Sequence, residues 1–156
     1  MSTGRALALG AISGLRSASG PAFVGRAASR GDGDLDGTLL AFFGSPRLSK
    51  VLTLSQLGEV IGDKLPTTPS RTAWPPLLGR AGSGGLVGAA AFVSEGRWAA
   101  PGAILGSTAA VAAAFAGENL RTLAVKISGL PDPAVAVAED AVVLLVGSRA
   151  SSKAVR

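Results

Sequence analysis

Eight ionisable residues stand within or at the edge of apolar segments, and their spacing sets what chemistry this chain can do. Arg16 interrupts an apolar run near the start. Glu59 and Asp63 are four apart, hence on one helix face, with Lys64 beside them. Glu118 and Arg121 are three apart and can pair along a helix. Glu139 and Asp140 are adjacent, about 100° apart on a helix, so they cannot both face one way. A charge at bilayer depth costs at least about 2.5 kcal/mol, so each needs a partner, water or a function. Two readings follow. Arg16 pairs with Glu59 or Glu139 and clamps a helix bundle, or the same residues form a polar path for protons, cations or a small solute.

Other chemistries are closed off by composition. The chain has no His, no Cys and no Tyr, which removes Ser-His-Asp and Cys-His catalysis, thiolate ligands and histidine switching. No catalytic residue, metal or cofactor is expected, and the chain is not read as an enzyme. Asp34-Leu35-Asp36-Gly37-Thr38-Leu39 matches the opening motif of haloacid-dehalogenase-type phosphatases. That motif needs a buried strand before it, and Ser29 to Gly33 is polar and glycine-rich. Asp32, Asp34 and Asp36 begin like a calcium loop, but Phe43 stands where a bidentate Glu is required. Gly82-Ser83-Gly84-Gly85 resembles a phosphate loop in composition only, since no Gly-Lys-Ser/Thr follows.

The elements that must hold these charges are apolar helices. Trp98 to Gly117 runs without one charge between Arg97 and Glu118, long enough for a helix of about 30 Å, the thickness of a bilayer core. Only 16% of residues are charged and mean hydropathy is +0.42, so a short chain would have more apolar surface than it could bury by itself. Five helical segments are predicted, at about 6–28 (interrupted by Arg16), 46–64, 77–94, 98–127 and 133–147. The prolines at 66, 69, 75 and 76 forbid a helix between the second and third. Arg80 is expected to snorkel to headgroups. The first segment imitates a signal peptide, but Arg16 and the resumed apolar run after it favour an uncleaved helix.

Small residues recur every fourth position in the long span, at Gly102, Gly106, Ala110 and Ala114. They do so again at Gly84 and Gly88, at Gly58 and Gly62, and at Gly10 and Gly14. Such seams let helix backbones approach closely, within a chain or between chains. The expected fold is therefore an all-α integral membrane bundle of four to five helices over residues 1–148. A basic tail, 149–156, follows. With five crossings the basic residues divide six against eight between the two sides, which sets no orientation. The net charge of +5 is spread along the chain without interleaved aromatics, so the expected partners are the lipid bilayer and further copies of the chain, not nucleic acid.

Several stretches together resemble DUF4126, a bacterial membrane-protein family of unknown function. They are Gly14-Leu15-Arg16, the run Glu59 to Pro66 with Thr67-Thr68-Pro69-Ser70-Arg71, Gly117-Glu118-Asn119-Leu120-Arg121, Leu130-Pro131-Asp132-Pro133, and Glu139-Asp140. The resemblance implies a multi-pass protein of the cell (inner) membrane and supplies no activity. The functional expectation is a small oligomeric channel or transporter for protons, cations or a small solute. The alternative is a scaffolding membrane protein whose charges only clamp its helices.

Overall fold

The computed structural model describes residues 2–31, 35–62 and 70–151. Within them the chain is all-helical, without strands: α1 (Ser2–Leu15), α2 (Ser19–Ala28), a short 3-10 turn (Ala41–Gly44), α3 (Pro46–Gly62), α4 (Trp74–Val93), α5 (Ala99–Ser128) and α6 (Asp132–Ser151).

The first segment is not one interrupted helix. It folds back on itself at Arg16–Ala18, so α1 and α2 form an antiparallel hairpin. Gly20 lies against Ser13 and the Leu9 carbonyl, and Val24, Ala27 and Ala28 share a small cavity with Leu9, Arg5 and Ser94. The cause is local. Pro21 sits in the first turn of α2, where its fixed φ suits a helix start and its missing N–H breaks the ladder back to Ser17. The Ser17 carbonyl instead accepts the Ser83 hydroxyl at 2.5 Å.

α4 and α5 form a second antiparallel hairpin through the turn at Gly96, where φ is +69°. The helices of α1, α4 and α5 meet at their small residues. A Cβ on Gly88 would overlap the Gly102 carbonyl, one on Gly106 that of Gly84, and one on Gly14 that of Ala110. Gly102, Gly106, Ala110 and Ala114 are the buried stripe of α5, and Gly84 and Gly88 face them from α4. Gly58 and Gly62 differ: among the described residues nothing lies within 4 Å of a Cβ on either, so their spacing makes no seam with the described helices. α4 begins at Trp74, earlier than expected, because Pro75 and Pro76 fall in its first turn, where no helical N–H is needed.

α6 packs antiparallel to α1, with the Phe23 ring of α2 seated on Gly147. α3 lies along α2, bringing Ser49 to Gly25 and Gln56 to Ser19. It buries Ser49 and Gln56 and leaves Val51, Leu54, Leu57 and Ile61 exposed. α5 is the one described helix long and apolar enough to cross a membrane. Ser2, Arg5, Ala28, Ser94 and Ala150 gather at one end of the bundle, and the hairpin tip lies about 20 Å away along α1.

Candidate functional site

The tip of the α1–α2 hairpin breaks two helices inside the protein, which leaves carbonyls at the end of α1 and N–H groups at the start of α2 without helical partners. Charged side chains from other helices take their place. Arg80 of α4 donates its Nε–H to the Gly14 carbonyl at 3.0 Å. Glu59 of α3 accepts the Ser17 N–H at 2.7 Å, the Ser17 hydroxyl at 2.8 Å and the Ala18 N–H at 2.8 Å. The cation thus meets the negative end of one helix dipole and the carboxylate meets the positive end of the other. The two side chains also face each other at 3.7 Å.

Arg16, fully buried at the tip, donates Nε–H to Asp140 Oδ1 at 2.8 Å and holds Nη2 at 2.7 Å from the same oxygen. Among the described carboxylates it meets Asp140, neither Glu59 nor Glu139. Glu59 is committed to the turn N–H groups, and Glu139 points about a quarter turn away from Asp140 on α6. Glu139 is held by Arg71, with Nη1 at 2.5 Å and Nη2 at 3.2 Å on its two oxygens. The expected Glu118–Arg121 pairing is absent. Glu118 accepts the Ser70 hydroxyl at 2.8 Å and the Thr72 hydroxyl at 2.5 Å, while Arg121 clasps Asp132 through Nε at 2.7 Å and Nη2 at 2.5 Å. Each finds a partner across the fold with better geometry than its helical neighbour offers.

One layer of the molecule therefore collects Arg16, Glu59, Glu118, Arg121, Glu139 and Asp140 from the expected residues. Asp63 and Lys64 lie outside the described residues. Sequence reasoning missed Arg71 and misread Arg80, which is 5% exposed and turns inward instead of snorkelling. A cation beside a run of prolines or on the first turns of a helix reads as a surface group, and only the presence of Glu139 and Gly14 opposite them reveals otherwise. Gln56 was also missed. It donates to the Ser19 hydroxyl at 3.1 Å and accepts from Arg26 at 3.1 Å, tying α3 to α2. Beside the layer an open groove is walled by Leu15, Leu120, Ala124, Val135 and Val142, with Arg121 and Glu139 at its edge. Among the described residues no three acidic side chains gather as a metal site.

Comparison with known proteins finds no family model, curated protein or solved structure that matches the chain. The resemblance to DUF4126 rests on its quoted residues alone.

Proposed function

We propose that this is an integral membrane protein with four crossings, α3 to α6, and a re-entrant hairpin, α1–α2. It carries protons, or a small ion or solute, past the charged layer at the hairpin tip. The membrane part is supported by charges inside and apolar side chains outside. Arg16, Arg80, Arg71, Gln56 and Ser13 are buried beside an apolar core that includes Leu9, Ile12, Phe23, Val87 and Phe92, while Ile104, Leu120, Ile127, Leu144 and Leu145 are each more than half exposed. In water that arrangement forfeits hydrophobic stabilisation; in lipid it is the expected one. The chain's two tryptophans add to it. Trp74 and Trp98, 72% and 86% exposed, flank the ends of α4, whose 20 residues span about 30 Å. Interfacial tryptophans at both headgroup levels have that spacing.

The transport part rests on the hairpin tip. Broken backbone at membrane depth persists where it is enclosed by protein or lines a path, and opposed half-helix ends are where carriers hold ions. Glu59 is the residue at issue, since its carboxylate holds the Ser17 and Ala18 N–H groups and faces Arg80. A second reading, the structural clamp, is favoured by the bidentate Arg71–Glu139 pair, which binds α6 to the start of α4 and offers nothing to a solute. The small-residue stripe of α5 is filled within the chain, so a homo-oligomer would form through the exposed faces of α5 and α6.

Protein in liposomes loaded with a pH-sensitive dye separates the two. Transport requires a proton or cation flux that Glu59→Gln lowers several-fold while helicity and elution volume stay unchanged. Flux equal to that of empty vesicles would leave the clamp. Recovery of the protein in the soluble fraction after a carbonate wash would remove both.

A further inference from the structure

The charges are distributed unevenly between the ends of the bundle. At the end where the described chain begins and finishes stand Arg5, Arg30, Arg47, Lys50, Arg97 and Arg149, six cations against the two carboxylates of Asp36 and Glu95. The remaining described residues carry six cations and five carboxylates. Among the described residues this end therefore carries +4 and the rest +1. The α1–α2 hairpin contributes to this asymmetry, because it returns Arg30 to the end that already holds Arg5.

At that end a groove runs between α1 and α6, lined by Gly4, Arg5, Ala8, Val146, Arg149 and Ala150. It is shallow and open to the outside. Arg5 and Arg149 stand on opposite walls, on α1 and α6, and the lining between them is apolar. Arg5 is fixed by donating its Nε–H to the Ala150 carbonyl at 3.1 Å, with its Nη1 3.9 Å from Glu95, the one carboxylate near it among the described residues. Glu95 is shared with the N–H of Ser2 at 3.1 Å.

We infer that this groove binds an anionic phospholipid, with its phosphate between Arg5 and Arg149 and an acyl chain along Ala8 and Val146. The inference rests on the membrane reading above. Charge complementarity selects the ligand: two arginines in a basic field favour an anionic headgroup, and the apolar floor suits a chain that a free phosphate lacks. The same site orients the protein with this end toward the leaflet richer in anionic lipid.

The test is lipid retention by the full chain released from bilayers of equal phosphatidylglycerol and phosphatidylcholine, read by native mass spectrometry. The wild type should keep phosphatidylglycerol over phosphatidylcholine. Arg149→Gln should lower that preference about five-fold, the factor expected for one arginine at an anionic surface. Arg149→Lys and Lys126→Gln, the latter at the opposite end, should retain it. Equal retention of both lipids by the wild type, or an Arg149→Gln protein that retains them like the wild type, overturns the site. Carbonate-wash fractionation run on the same samples keeps the two failures apart. A membrane-bound protein without lipid preference refutes the groove alone, and a soluble one refutes the membrane reading beneath it.

Discussion

Arg16 and Asp140 are the tightest test of how the interior is held. Replacing Asp140 removes the carboxylate that accepts from a fully buried guanidinium, so Asp140→Asn should cost about 1.5–3 kcal/mol, the worth of a hydrogen bond to a charged group, in unfolding from mild detergent. Asp132 is a milder case at the exposed first turn of α6, ahead of the apolar run. The hydrogen-bonded guanidinium of Arg121 holds its carboxyl below the usual range, and the charge of the same guanidinium adds to this against the opposing effect of burial. A depressed carboxylate contributes stability at neutral pH and loses it as pH falls below about 4 through its folded-state value. Asp132→Asn should therefore flatten the fall in Tm between pH 5 and 3, a modest effect because the pair is solvent-screened. At this scale the sequence exposed which charges were costly but not their partners. Pairing is a property of distance across the fold: Arg16 and Asp140 are 124 positions apart.

Helix contacts obey a different logic, in which the absence of a side chain matters most. Gly106→Val would press a branched side chain into the Gly84 backbone and should cost at least about 1–3 kcal/mol, seen as a lower unfolding midpoint. Gly58→Ala, with open space around its Cβ, should be neutral or stabilise by about 0.5–1 kcal/mol through helix propensity. Both positions belong to a small-xxx-small repeat, and only the neighbours distinguish them. The positions of α3 to α6 were largely legible, since long apolar runs bounded by proline and glycine admit few other structures. Gly129, with φ +66°, ends α5 where the sequence placed the stop. The fold-back at Arg16–Ala18 was not legible. A short polar break followed by more apolar residues describes a kinked helix and a hairpin equally well. What separates them is whether Arg80 and Glu59 are there to satisfy the opened turn.

For the whole molecule, the hairpin sets how many crossings the membrane proposal requires. Four crossings put both ends of the described chain on one side, where an uninterrupted first helix would put them on opposite sides. The chain has no cysteine, so single-cysteine labelling reports this directly. Thr3→Cys and Arg30→Cys should react with an impermeant maleimide from the same side of sealed vesicles, and Ser128→Cys from the other. Labelling of Thr3→Cys and Arg30→Cys from opposite sides would restore five crossings. By itself the sequence determined the helical class, the long apolar span of α5 and the set of charges too costly to be idle, because these depend on local composition and on the 3.6-residue period. The tertiary structure decided that the first segment turns back, that arginines from α4 and its approach reach inward, and that most of the net charge of the described residues gathers at one end. Each of those outcomes depends on which distant residues share a layer, and no local pattern encodes that.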